Sequence, residues 1–178
     1  MQGTLSEIRE AAYSAGINVL HAVSGDAVSV DNLNISCVHP CKNYNYESTN
    51  DYSAVYLISM RDFSMLMMGD AESKAEKCII RDVKKSGGGL DPSGINVLKT
   101  GHHGSRGASS EEFIKLVKPE TALISCGIDN SYGHPHKETL QRFTDAGTKV
   151  YRTDECGEIM VRVWNGSYET EVFKERKK

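Results

Sequence analysis

The sequence lacks the features that would place it in several large functional classes. No apolar run approaches the roughly 18 to 20 residues a membrane-spanning helix needs. The first ten residues carry no apolar signal core. Neither GxGxxG nor GxxxxGK[ST] occurs, so nothing supports a nucleotide-phosphate cradle. There is no GxSxG nucleophile elbow. Nor is there an excess of basic residues: the formal net charge is −3 and the pI about 6.1. That argues against a strongly basic nucleic-acid-binding module. It does not exclude a nuclease, whose metal ions meet phosphate charge locally. The five cysteines contain no CxxC pair, and their number is odd. A disulfide framework or zinc knuckle is therefore not expected. Cys37 and Cys41 flank His39, a weaker metal alternative, but plain buried thiols are the expectation.

What the 178 residues do contain is enough for one folded domain. Apolar residues make up 39% and charged residues 25%, the balance of a globular chain rather than a disordered tail. Helical spacing predicts a helix over Leu5–Ala15, stopped by Gly16. Ile17–Val23, Ala27–Val30 and Leu33–Val38 read as short strands, with a polar loop over 43–51. Ser53–Ser59 and Phe63–Met68 read as a hairpin running into Gly69-Asp70. A helix is expected over Ala71–Lys85, broken by three glycines at 87–89. Beyond it the pattern alternates: strand Ile95–Lys99, a helix from Ser109-Ser110 to Val117, strand Thr121–Cys126, helix Lys137–Asp145, strand Lys149–Arg152. A last hairpin, Ile159–Trp164 with Tyr168–Phe173, turns at Asn165-Gly166. The fold class is α/β (α+β), a sheet with helices packed over it.

The histidines are unevenly placed. Four of six fall in two Gly-containing loops, Gly101-His102-His103-Gly104-Ser105 and Gly133-His134-Pro135-His136. Each follows an apolar strand, the position where α/β sheets collect ligand sites. Flanking glycines let the backbone turn sharply and present both imidazoles of the first loop, and histidine is the commonest ligand for zinc-like metals. Asp70 closes the apolar run Met65-Leu66-Met67-Met68. It reads either as a cation ligand or as the cap of the following helix. His136 reads equally as a cap and His134 as a loop residue; a phosphate at that helix start is the competing reading. His21 and His39 read as structural.

Several motifs occur in one order: Asn50-Asp51-Tyr52-Ser53, Gly69-Asp70-Ala71-Glu72, Leu98-Lys99-Thr100 leading into GHHGS, Lys118-Pro119, Asn130-Ser131-Tyr132 leading into GHPH, and Tyr151-Arg152-Thr153-Asp154. From about Ile35 to about Arg162 the chain resembles the metallo-β-lactamase-like domain at the C-terminus of ComEC-type DNA-uptake proteins. The resemblance implies a partial αββα sandwich, its C-terminal half. It implies a divalent metal, Zn or Mn, two in the complete domain, with Asp70 as a ligand. His103 is the preferred histidine ligand and His102 the alternative. His102, His134 and His136 would face the phosphate or leaving group. The superfamily's HxHxDH or HxxxDH motif is absent, so the chain is expected to begin after it and to lack a complete two-metal site. The parent is expected to be a bacterial membrane protein displaying this domain on its outer face. Its implied reaction is hydrolysis of a DNA strand, single-stranded DNA being the implied substrate. Other expectations stay open: another phosphoester substrate, as in teichoic-acid esterases, or a non-catalytic scaffold that associates through an exposed sheet.

Overall fold

A computed structural model describes residues 2–42, 45–86 and 94–174. Seven strands form one mixed sheet in sequence order: β1 (Ala27–Val30), β2 (Leu33–His39), β3 (Val55–Met60), β4 (Phe63–Met67), β5 (Val97–Lys99), β6 (Thr121–Ile124) and β7 (Lys149–Arg152). β1 to β4 run antiparallel, and β4 to β7 run parallel. Parallel neighbours need a crossover. Helices α2 (Ser73–Ser86), α3 (Glu111–Val117) and α4 (Lys137–Asp145) lie in those crossovers. The hairpin β8 (Glu158–Trp164) and β9 (Ser167–Phe173) forms a separate ribbon.

Strand alternation sorts the sheet into two faces. Leu66, Leu98 and Ala122 point one way and bury against Ala75 and Ile79 of α2, Phe113 and Ile114 of α3, and Phe143 of α4. Phe63, Val97 and Leu123 point the other way, under Ile159, Val161 and Tyr168 of the ribbon. One helix-covered sheet is the layer that half of an αββα sandwich requires. The ribbon does not reach the β1–β2 end. There Val28 pairs with Ile35 and Val30 with Leu33, and Val28, Val30 and Leu33 are exposed. Their register continues through Ile58 and Met60 of β3.

Two sequence expectations are corrected. Ile17–Val23 is not a strand: it pairs with nothing, and Ile17 and Leu20 are exposed, because alternation without a ladder partner fixes no strand. Helix α1 (Gln2–Ser14), which precedes it, also leaves Ile8 and Tyr13 exposed. The cysteines are not all free thiols: Cys41 and Cys78 form a disulfide, while Cys37, Cys126 and Cys156 are free. The partners lie 37 residues apart in sequence, Cys41 just beyond β2 and Cys78 on α2, so no local spacing could announce the pair. Boundaries also shift, β5 starting at Val97 rather than Ile95, and a short helix α5 (Thr153–Cys156) follows β7. The glycine break at 87–89, part of the loop from 43 and the end of the basic tail lie outside the described residues.

The disulfide closes a loop whose entropy cost in the unfolded chain is about 4 kcal/mol. Reduction, or joint Cys41→Ser and Cys78→Ser substitution, is expected to lower the urea midpoint and to raise the slope, because the uncrosslinked unfolded chain exposes more surface. An unchanged midpoint would show that the segment needs no covalent tie to α2.

Candidate functional site

The chemistry-bearing residues gather where the parallel strands end, the usual place for ligands in such sheets. Asp70 follows β4, the two-histidine loop follows β5, and Ser125 and the GHPH loop follow β6. The first loop is wound tightly. His102 (φ 41°, ψ 50°), His103 (φ 53°, ψ 25°) and Gly104 (φ 79°) occupy the left-handed region in succession. A non-glycine residue there costs about 1–2 kcal/mol, and two in a row persist only when the surroundings hold them. Three backbone hydrogen bonds do so. The His102 amide donates to Gly69 O at 3.0 Å, the Ser105 amide to His102 O at 2.8 Å, and the His136 amide to Gly104 O at 3.0 Å. The first fastens the histidine loop to the Asp70 loop, and the last fastens it to the GHPH loop.

This backbone brings all four loop histidines together. The His102 ring centroid lies 6.2 Å from that of His103 and 5.4 Å from that of His134. His103 and His134 are 6.3 Å apart, and His134 and His136 4.9 Å. His103 is half-exposed, and its Nδ1 lies 2.7 Å from the carbonyl oxygen of Ser125. A carbonyl only accepts, so Nδ1 carries a proton, and in the neutral ring Nε2 holds the lone pair. That Nε2 faces Asp70 Oδ1 at 3.7 Å. His102 is anchored differently, Nδ1 lying 2.9 Å from Glu72 Oε1. The Asn50 side-chain amide approaches the same nitrogen at 3.5 Å.

The second loop is braced by Asn130. Its Oδ1 accepts from the His134 amide at 3.0 Å, and its Nδ2 donates to His134 O at 2.6 Å. Burial, and then the neighbouring His136, His102 and His103, hold the His134 imidazole below its ordinary pKa. His136 is the N-cap residue of α4, yet its ring caps nothing. Its Nδ1 instead accepts from the Arg106 amide at 3.2 Å, turning the imidazole back toward the first loop. Asp70 does not cap α2, which begins three residues later; its amide donates to Ser53 Oγ at 3.1 Å.

His39 stands apart from this cluster. It is fully buried, with Nδ1 2.9 Å from Ser53 O, and burial lowers its pKa. His21 is exposed. Three supporting groups had no role assigned from sequence: Glu72, the Ser125 carbonyl, and the pair Glu76 and Arg142. Glu76 accepts from the Ser109 and Ser110 amides, and Arg142 donates to the carbonyls of Arg106, Ala108 and Ser109. Glu72, Glu76 and Arg142 act on the segment that carries the histidines across separations of about 30 residues or more in sequence.

In class, the chain is a mixed α/β protein whose imidazoles and carboxylates converge at one end of a parallel sheet. No family model matches it. It is nonetheless a relative of the ComEC-type competence proteins. It is 32% identical over 162 residues to ComE operon protein 3 of Bacillus subtilis, covering 89% of this chain and 20% of that protein. It is 32% identical over 120 residues to Recombination protein 2 of Haemophilus influenzae, covering 67% of this chain and 14% of that protein. It is 31% identical over 144 residues to Competence protein ComA of Neisseria gonorrhoeae, covering 81% of this chain and 20% of that protein. The chain thus spans a fifth or less of each relative's length. Among solved structures, one described as a metal-dependent hydrolase of Parabacteroides distasonis aligns with TM-score 0.49 and 14% identity, over 82% of this chain and 61% of that one.

Proposed function

We propose that the chain is the C-terminal part of a metal-dependent hydrolase domain within a DNA-uptake protein, acting on the phosphodiester bonds of a DNA strand. The observation that carries the reading is the meeting of Asp70 Oδ1 and His103 Nε2 at 3.7 Å, with His103 Nδ1 committed to Ser125 O. An imidazole whose second nitrogen is tied to a carbonyl is oriented as metal-ligating histidines usually are. Two donors this close can share one ion, and oxygen with imidazole suits Zn or Mn. They make half of a four-donor shell. Among the described residues no third His, Cys, Asp or Glu atom completes a group with them; the one such group, Cys41, Cys78 and Asp82, has its sulfurs joined to each other. The remaining donors, and a second ion, are therefore assigned to the rest of the parent protein.

When bound, such ions supply Lewis acidity to the phosphoryl group and acidify water. The chain's own residues do the rest: Asp70 and His103 hold an ion, while His102, His134 and His136 present a wall of imidazoles to the phosphate and the leaving oxygen. The exposed apolar face of β1 and β2 is the seat we assign to the rest of the domain, with a second copy as the competing occupant. A disulfide belongs to an oxidising compartment, so Cys41–Cys78 supports display on the outer face of the membrane that holds the parent.

Mn²⁺ added to the chain is expected to broaden the resonances of His103 and of residues around Asp70 first, with weak and substoichiometric binding. Asp70→Ala or His103→Ala leaves a single donor and should remove measurable binding. In the complete domain the same substitutions should abolish metal-dependent cleavage of single-stranded DNA. Tight binding of two ions by this chain alone, or broadening centred elsewhere, would sink the proposed site. A complete domain that binds no metal would support a scaffold instead.

A further inference from the structure

The two adjacent histidines are held by different devices, and the device on His102 has a definite chemical consequence. Glu72 Oε1 lies 2.9 Å from His102 Nδ1 and also accepts from Ser105 Oγ at 2.9 Å. Ser105 Oγ in turn accepts from the Gly107 amide at 3.2 Å. The hydroxyl proton is thereby directed toward the carboxylate. The carboxylate is packed from behind: a Cβ at Gly107 would sit 2.7 Å from Glu72 Oε1, so only glycine leaves it in place. The Ser73 amide, next to Glu72, donates to Gly107 O at 2.9 Å and ties the two segments together. Asn50 approaches the same imidazole nitrogen at 3.5 Å, too long to compete with a charge-assisted bond of 2.9 Å. Among the described residues nothing bonds His102 Nε2.

We propose that Glu72 is a positioning residue that fixes His102 as the Nδ1–H tautomer, leaving Nε2 as a bare acceptor on a ring whose centroid lies 5.4 Å from that of His134. An ionised carboxylate can only accept, so the imidazole proton must sit on Nδ1, against the preference of a free imidazole. The Ser105 hydroxyl and the backing at Gly107 fix where that carboxylate oxygen lies. His102 thus keeps a basic nitrogen on the side of the four-imidazole cluster without being bonded to Asp70, which leaves the Asp70–His103 pair and His102 with separate tasks. This deepens the proposed hydrolase reading and rests on it for its use, though not for its test.

The test is the ring ¹⁵N pattern of His102 in the intact chain, without metal, about two units above the ordinary histidine pKa. The expected wild-type pattern has a protonated Nδ1 and an Nε2 shifted to the position of a bare imidazole nitrogen. Glu72→Gln, which keeps an acceptor oxygen, should preserve that pattern. Glu72→Ala should move His102 to the Nε2–H form, while His103, tied to a backbone carbonyl, keeps its own pattern and reports that the loop is intact. An Nε2–H pattern for wild-type His102, or an unchanged pattern in Glu72→Ala with His103 undisturbed, overturns the proposal. If the alanine variant fails to fold or disturbs His103, the wild-type pattern decides alone. Mn²⁺ broadening at Asp70 and His103 is a separate measurement, so loss of the metal reading and loss of this assignment give different results.

Discussion

Gly101→Ala is expected to abolish metal binding at Asp70 and His103 and to destabilise the chain by about 3 kcal/mol or more. A Cβ at position 101 would stand 2.2 Å from the carbonyl oxygen of Ala71 and 3.4 Å from the Ala108 Cβ. The first of these is backbone, and Ala71 is itself 0% exposed, so no flexible side chain can give way. Relief requires the two loops to part. Parting them breaks the hydrogen bond from the His102 amide to Gly69 O and carries His103 away from Asp70. Gly133→Ala is the control. Gly133 has φ 69°, but an added methyl group there would meet nothing within 4 Å, so only the left-handed conformation is penalised, at about 1 kcal/mol. Urea midpoints and Mn²⁺ titrations of both variants check this. A Gly101→Ala chain that binds metal like the parent sequence would mean that the two loops are not held in register by this contact.

How the site assembles explains what was readable in advance. The strands of the hairpin and of the parallel half were legible because burial imposes alternation: Leu66 and Met68 face the helices, while Phe63 and Met65 face the ribbon. Ile17–Val23 carried apolar residues too, but a strand also needs an edge to pair with, and sequence does not supply one. The grouping of His102, His103, His134 and His136 followed from placement after strands and from family resemblance, and the structure brings the four rings together. Whether His102 or His103 faces Asp70 was open, since both share the same glycine-flanked loop. The difference lies in partners far away in the chain, Ser125 for one and Glu72 for the other. Glu72 itself looked like the first turn of a helix rather than a neighbour of an imidazole 30 positions on. The Cys41–Cys78 bond was hidden in the same way, by a separation only the fold closes.

Replacing Glu76 by alanine is expected to cost about 3 kcal/mol and to loosen the histidine loop from its far end. Glu76 is 1% exposed on α2, and its carboxylate accepts from the Ser109 and Ser110 amides. Without it those donors are left without a partner, each at a cost of about 1–3 kcal/mol, and Arg142, which clamps the carbonyls of Arg106, Ala108 and Ser109, loses a neighbouring negative charge. Burial pushes the Glu76 carboxyl above its ordinary pKa of 4.5; the Ser110 and Ser109 donors and the Arg142 charge oppose that shift without cancelling it. The sign of the pH dependence follows. Where the folded form binds a proton that the unfolded form has lost, stability falls as pH rises. The contribution of Glu76 is therefore full below the ordinary glutamate pKa and declines as pH rises through the higher folded value. Glu76→Gln cannot titrate, so the stability difference between the parent chain and Glu76→Gln should narrow over that interval. Chemical denaturation of the two proteins across mildly acidic pH measures it. A difference that widens with pH would show that the amide donors and Arg142 outweigh burial, and that the loop is held by a stabilised anion.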